Sequence, residues 1–411
     1  MKLHDGGSIT PPATPTTPSH SKTNSASSDY LTSLSGLRRG DSTASRTSRP
    51  SLDESCRPGS TEPLIFPHHL IDYEIQLDSK GRKKPIGTGA WSDVYLATPI
   101  THWPATSFST APAITPPVTP VHLRGSSATK DSLPVIPPLY AIKVPASTSA
   151  KKVLSAEARI LSYLSRYPDA NNHVVQFFGQ DSRTGALVLQ AMDGTLEDWI
   201  QITLNSLDDS SRTTKLASTF PTLALSLIDS LLWLQDKDCV HADIKPSNIL
   251  YSKSATIIPH LVFTDFSSTV LTTLNNTDAT PPPMGAGTWE FLDPSLLSSF
   301  NPATPSASTD LYSLAITLLF VVLGASPFDG FKHNKFQQRE MIKSGAPLQC
   351  LQYDDEGIKN QRKLNILSKD LGFDVQKWFA KVLVKDHAKR VGVLEWRGEL
   401  VARLAERKAK I

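Results

Sequence analysis

Cysteine is scarce: Cys56, Cys239 and Cys350 lie far apart and at no metal-ligating spacing. This excludes a disulfide scaffold and points to a reducing compartment, cytoplasmic or nuclear. Excess charge is missing as well, since 42 Lys and Arg stand against 39 Asp and Glu for a net +3. The balance gives no electrostatic footprint for nucleic acid. No apolar run reaches membrane length. The longest suspect, Leu311–Gly324 (LYSLAITLLFVVLG), has 14 residues and is closed by Asp310 before it and Pro327 and Asp329 after it. A spanning helix needs about 20, so this run is expected to be a buried core helix rather than a membrane anchor. The opening MKLHDGGSITPP has no apolar stretch, is poor in Arg and carries Asp5, so neither a secretory signal nor a transit peptide is expected.

Proline, by contrast, is plentiful and clustered. Residues 1–60 hold 14 Ser, 8 Thr and 6 Pro but only eight of Met, Leu, Ile and Tyr. Residues 99–138 hold 9 Pro and 11 Ser or Thr with three charges. Such stretches bury too little apolar surface to offset the entropy of ordering. We therefore expect a disordered tail over 1–67 and a disordered Pro-rich insert over 99–138. What remains has ordinary globular composition, enough for one large domain or two lobes.

Strand signals come first along the chain. Tyr73–Leu77 alternates, GRKKPIGTGAWSDVYLAT reads as strand, glycine turn and strand, and Leu139–Val144, Val174–Phe178 and Ala186–Gln190 are strand-like. Val153–Tyr167 carries apolar residues at helical spacing. Beyond Gly194 helices dominate: Thr195–Ile200, Ala217–Gln235, the run from Leu311, Val375–Val384 and Leu394–Lys408. Only Asn248–Tyr251 and His260–Phe263 interrupt as short strands. Strands followed by helices imply an α+β fold in two lobes.

Four segments carry chemistry. Gly87-Thr88-Gly89 between strands is either a tight turn or a place where backbone N–H groups approach phosphates unobstructed. A strand, not a helix, follows it, which disfavours a dinucleotide-binding turn. Lys143 sits in an apolar strand, Ala141-Ile142-Lys143-Val144, with Glu157 following at 14 residues. It is either a snorkelling lysine or half of a buried pair that presents an ammonium to phosphate. His241-Ala242-Asp243-Ile244-Lys245-Pro246-Ser247-Asn248 spaces an Asp, a Lys and an Asn at intervals of two and three. The Asp can take a hydroxyl proton, the Lys can neutralise charge and the Asn can ligate a metal; the bland alternative is a polar turn. Asp265-Phe266 ends an apolar strand, where a carboxylate suits Mg²⁺.

The order of these segments resembles the eukaryotic protein kinase family. Gly87-Thr88-Gly89-Ala90-Trp91-Ser92-Asp93-Val94 matches its glycine-rich loop, and Tyr140-Ala141-Ile142-Lys143 its lysine strand. His241-Ala242-Asp243 with Asn248 matches the catalytic loop, Asp265-Phe266-Ser267 the metal-binding triplet, and Gly287-Thr288 with Asp293-Pro294 the end of the activation segment. Lys245-Pro246 is similar to the Ser/Thr class, and the resemblance covers roughly Asp72 to Arg397. Lys143 stands 56 residues after Gly87; without the 40 residues of the insert the interval is 16, an ordinary strand-to-strand distance.

The resemblance implies a bilobal kinase fold, with a β-rich small lobe over 68–192, a helical lobe over 193–397 and a basic C-terminal helix over 398–411. It implies ATP and Mg²⁺ as cofactors and a protein substrate bearing Ser or Thr, with no nucleic acid and no membrane span. The adenine would lie between Val94, Ala141 and Leu250, beside a hinge of Gln190-Ala191-Met192, with Leu189 guarding the back pocket. Gly87, Thr88 and Gly89 would cover the phosphates, Lys143 would bind them steered by Glu157, and Asn248 and Asp265 would hold Mg²⁺. Asp243 would accept the substrate proton and Lys245 would stabilise the transferring group. The chain departs from the family pattern at Ser92, Ala242, Ser267 and Ser295. The last replaces a glutamate, which should leave Arg390 without its family partner. Ala242 removes the arginine that grips an activation-segment phosphate, which implies constitutive or partner-controlled activity. The alternative is a nucleotide-binding pseudokinase that acts as a scaffold. Serines among Arg38, Arg39, Arg46 and Arg49 make the tail either a soluble leader or a phosphorylated region.

Overall fold

The computed structural model describes residues 60–101, 136–253, 258–272, 289–297 and 303–409, and the expectations for residues 1–59 and 102–135 lie outside them. The first lobe is one antiparallel sheet. It is built from β1 (Ile71–Ile75), β2 (Gly87–Thr88), β3 (Ser92–Thr101), β4 (Tyr140–Pro145), β5 (Phe177–Gln180) and β6 (Leu187–Gln190). The order is β1-β3-β4-β6-β5, with β2 on β3. Alternation along β4 and β6 divides the side chains between two faces. Ile142 and Val188 join Ala97, Tyr140, Phe66 and Ile71 on one face. Ala141, Leu187 and Leu189 face α1 (Ala150–Ser165), whose Leu154, Ala158, Leu161 and Leu164 recur at helical spacing. Lys143 shares the face of Ala141 and so points toward α1.

The second lobe is mostly helical. β7 (Gly194–Thr195) leads into α2 (Leu196–Trp199), where Thr195 and Asp198 form a capping box. α3 (Asp209–Asp236) follows, then β8 (Cys239–Val240), β9 (Ile249–Ser252), β10 (His260–Phe263) and β11 (Val270–Leu271). β10, β9 and β7 form one small sheet, and β11 pairs with β8. The remaining helices are α4 (Ala307–Leu323), α5 (Lys335–Ser344), α6 (Pro347–Cys350), α7 (Asp354–Leu371), α8 (Val375–Ala380) and α9 (Val393–Ala409).

The apolar run from Leu311 is the centre of this lobe: every residue of α4 from Thr309 to Leu323 is buried. Gly324 ends it at φ 81°, a left-handed conformation that a side chain disfavours. Among the described residues, only α3 is long and apolar enough to cross a membrane, and it packs against α4, α7 and α9 as a core helix.

Three expected boundaries move. β3 does not stop before Pro99; Tyr73 opposes Pro99, Asp72 opposes Ile100 and Ile71 opposes Thr101. Pairing with β4 has already ended at Ala97, so this end of β3 has one free side and tolerates a proline. Residues 60–67, assigned to the tail, pack on the small lobe, with Phe66 2% exposed. The helix placed over 398–411 begins at Val393 and buries Trp396 and Leu400, so it belongs to the lobe.

Candidate active site

Lys143, Glu157 and Asp265 meet where the two lobes face each other. Lys143 Nζ donates to Glu157 Oε1 and Oε2, both at 2.8 Å, and to Asp265 Oδ1 at 2.8 Å. β4 supplies the lysine and α1 the glutamate; Asp265 follows β10 with φ 60° and ψ 70°. A left-handed non-glycine residue costs about 1–2 kcal/mol, and here the ion pair and packing hold it. Burial opposes the ammonium, but the two carboxylates overturn that and raise the Lys143 pKa, so it stays charged. Burial would also raise Asp265, yet the Lys143 charge and hydrogen bonds from Lys143 and Ser267 win and hold it well below the ordinary carboxylate range. Glu157 is fully enclosed, and its desolvation leaves it raised despite Lys143. Asp265 is thus the carboxylate on this lysine that is partly exposed.

The second cluster lies in the loop after β8. Asp243 Oδ2 accepts from Lys245 Nζ at 2.8 Å and from Asn248 Nδ2 at 2.9 Å, and Asn248 Nδ2 also donates to the Asp243 carbonyl at 2.9 Å. Asp310 on α4 anchors this loop: its carboxylate accepts the His241 N–H at 2.6 Å and the Ala242 N–H at 2.9 Å. Ala242 holds φ 65° under that grip. The His241 ring is buried, which lowers its pKa and keeps it neutral. With Nδ1 accepting from the Asp243 N–H at 3.3 Å, Nε2 is the protonated nitrogen and donates to the Thr264 carbonyl at 2.9 Å. Its ring lies 4.8 Å from that of Phe266. One packed column therefore ties the loop to the residue beside Asp265.

The glycine turn lies on the sheet above. Gly87 opposes Val94 and Thr88 opposes Asp93, and Gly89 N–H donates to the Ser92 carbonyl at 2.8 Å to close the turn. Val94 opposes Lys143, Ala141 opposes Leu96 and Leu189, and Gln190 opposes Tyr140. Val94, Met192 and Leu250 are half-buried against the cluster that contains Ala141. The expected hinge follows β6, where Gln190 N–H donates to Gln176 and Ala191 N–H reaches the Leu139 carbonyl at 3.5 Å. The fold thus gathers the site residues proposed from the sequence along the junction of its two lobes.

Residues 138–399, more than half the chain, match the family model for the protein kinase domain. The chain belongs to the protein kinase family. It is similar to the serine/threonine-protein kinase ISR1 of Eremothecium gossypii, 29% identical over 255 residues, with 56% of this chain and 65% of that protein covered. It is 26% identical over 177 residues to the serine/threonine-protein kinase TOS3 of Saccharomyces cerevisiae, covering 41% of this chain and 30% of that one. It is 34% identical over 108 residues to the transforming serine/threonine-protein kinase mos of Moloney murine sarcoma virus, covering 26% and 27%. The chain thus spans less than two thirds of each relative's length. The family match begins just before β4, so the glycine turn lies outside it.

Arg390 is not left without a partner, contrary to the expectation from Ser295. Its Nη1 donates to Asp293 Oδ2 at 2.7 Å, and the two side chains are 1% and 0% exposed. Asp293, two residues before Ser295, supplies the carboxylate. Ser295 in turn donates its N–H and hydroxyl to Asp293 Oδ1 at 2.9 and 2.7 Å. Ser267 is also accommodated. Among the described residues only Asp238, Ala242 and Asp265 are non-glycines at positive φ, so position 267 does not need glycine here. Of the activation-segment hydroxyls, Ser267, Ser268, Thr269 and Thr272 are described, while 273–288 lie outside the described residues. The sequence did not reveal Asp293 as the partner of Arg390, nor the grip of Asp310 on the loop. Signals existed, namely an acid immediately before the apolar run of α4 and a second acid near Ser295.

Proposed function

We propose that this chain transfers the γ-phosphoryl group of Mg·ATP to Ser or Thr hydroxyls of protein substrates. The observation that carries the reading is the Lys143 ammonium held at 2.8 Å by both Glu157 and Asp265. Asp243 accepts from both Lys245 and Asn248, and the three form a second set. The donors fit the cofactor. Lys143 is a fixed cation for phosphate oxygens. Asp265 is ionised and partly exposed, and Asn248 adds a neutral oxygen, a set suited to Mg²⁺ shared with phosphates. Val94, Ala141, Leu250 and Met192 are the apolar surfaces for the adenine, and Gly87, Thr88 and Gly89 offer backbone donors to the phosphates. When bound, Mg·ATP supplies the transferable group and the metal's charge.

The residues do the positioning. Asp243 orients the substrate hydroxyl and takes its proton. Lys245, now on Asp243, turns to the transferring group. Asp310 fixes the loop backbone, so Asp243 pays no reorganisation at the reacting step. The Lys245-Pro246 pair and the Ser/Thr-kinase names of the relatives favour Ser and Thr over Tyr. We place the protein in a reducing compartment, cytoplasm or nucleus. Ala242 cannot grip a phosphate, so activity is constitutive or set by a regulatory partner. A pseudokinase scaffold is the second reading, favoured by Ala242 and Ser267. Turnover of purified protein with Mg·ATP and a generic Ser/Thr substrate separates them. Asp243→Asn should abolish that turnover and leave ATP affinity within a few-fold, because Asp243 serves the hydroxyl. Equal turnover in that variant would remove the mechanism.

A further inference from the structure

The residues just before the small lobe make contacts that the sheet itself does not need. Phe66 N–H donates to the Gln180 carbonyl at 3.0 Å, and Gln180 N–H donates back to the Leu64 carbonyl at 2.8 Å, so the segment adds to the β5 edge. Ile65 forms a parallel bridge with Gln180. Its other side holds α1. Leu64 N–H donates to the fully buried Ser162 hydroxyl at 2.8 Å. Arg166, which caps the end of α1, donates to the Ser60 carbonyl and, at 2.6 Å, to the Glu62 carbonyl. The seat is built for this contact. Gly179 has φ 129°, and a Cβ there would stand 2.5 Å from the Phe66 nitrogen.

We propose that Ser60–Phe66 is a strap that keeps Glu157 on Lys143 by fixing α1 to β5, with Ser162 and Arg166 as its positioning residues. Glu157 reaches Lys143 only while α1 stays packed on the sheet. Tyr163, at the same end of the helix, donates its hydroxyl to the Lys237 carbonyl at 3.1 Å and pins that end to the second lobe. The strap closes the outer side, bonding to sheet and helix at once. Three bonds from Leu64, Ser60 and Glu62 to α1, and two to β5, leave the helix no outward path without breaking them together. Ala242 removes the arginine that would let a phosphate order the site, yet the Lys143–Glu157 pair is formed; a restraint carried by the chain itself accounts for this. The activity arm of the proposal rests on the kinase reading above.

The test uses the full chain with Arg166→Ala, Ser162→Ala and Glu157→Gln, singly and in combination. Amide exchange is followed by mass spectrometry, alongside kcat and ATP affinity. Arg166→Ala should speed exchange across residues 150–165 by about tenfold and leave α3 and α4 unchanged. It should lower kcat by about fivefold or more with ATP affinity within about threefold. Arg166→Lys should recover part of the loss. In the Glu157→Gln background, Arg166→Ala should cost less than about twofold further, because both act through one pair. A purely structural role would instead add in full to Glu157→Gln, and that result, or unchanged α1 exchange, overturns the strap. If Arg166→Ala does not fold, Ser162→Ala gives the same readings. If the unaltered chain transfers no phosphoryl group, the kinase reading fails, and α1 exchange alone decides the strap.

Discussion

Removing the Asp293 carboxylate isolates a charge that the fold has fully enclosed. Arg390 is 1% exposed at its side chain, with Asp293 as its acidic partner at 2.7 Å. After Asp293→Ala the guanidinium keeps the Ser308 carbonyl at 2.8 Å, the Val384 carbonyl at 2.6 Å and the Tyr312 ring at 5.0 Å. These are neutral acceptors and do not balance the charge. Breaking a buried pair from one side costs about 3–5 kcal/mol; the remaining carbonyls place this case at the lower end. At about 2–4 °C per kcal/mol for a domain of this size, the melting midpoint should fall by roughly 10 °C. Asp293→Asn keeps an acceptor oxygen and should lose about half as much. Ser295 already touches Asp293 through its N–H and hydroxyl. Adding Ser295→Glu to Asp293→Ala should therefore return a carboxylate to the vacated volume and recover at least half of the loss. Thermal unfolding followed by circular dichroism at neutral pH reads all three variants. A drop of under about 2 °C for Asp293→Ala would mean that the carbonyls alone satisfy Arg390, and the reasoning would fail.

Two further perturbations follow from the same geometry. Lys143→Met removes the cation between Glu157 and Asp265, and kcat should fall by about 10²–10³-fold in a stopped assay, the scale of losing one fixed charge-stabilising donor; a loss below tenfold would contradict the role given to Lys143. Asp310 has its pKa pushed up to about 7, chiefly by burial, against the His241 and Ala242 N–H groups that favour its charge. Its folded value lies above its unfolded one, so its contribution is full below about pH 4 and is lost as the pH rises toward 7. Relative to Asp310→Asn, the unaltered chain should lose on the order of 3 kcal/mol across that window in denaturant titrations; parallel stability curves would refute it.

Much of the site was legible because its residues are spaced by local geometry. Lys143 and Ala141 sit two apart on one strand face, and Asp243, Lys245 and Asn248 share one short loop, so sequence order alone brings them together. The Arg390 partner was not legible. Asp293 and Arg390 are 97 residues apart, and only the packing of the loop before α4 against the turn before α9 joins them. The polar helices were also missed. α5 and α7 carry many charges and amides, although Leu364, Leu367 and Leu371 at spacings of three and four mark the buried stripe of α7. α3 was read from Ala217, but its first two turns are polar and start at Asp209 because Asp208 accepts the N–H groups of Ser210 and Ser211. Composition placed Pro99 and residues 60–67 outside the fold. Proline content does not register that one strand side is free, nor that Phe66 has a glycine-lined seat.

The central claim is that these residues form a working phosphoryl-transfer site whose order does not depend on a phosphate in the activation segment. The most direct measurement is phosphoryl transfer from Mg·ATP to a Ser/Thr substrate by phosphatase-treated protein, compared with untreated protein at equal concentration and with Asp243→Asn. The account predicts rates for treated and untreated protein within about tenfold of each other, a barrier difference under ~1.4 kcal/mol, and both far above Asp243→Asn. Transfer no faster than Asp243→Asn would contradict it, as would a larger loss on phosphatase treatment that an Ala substitution traces to Ser267, Ser268, Thr269, Thr272, Thr273, Thr277 or Thr280.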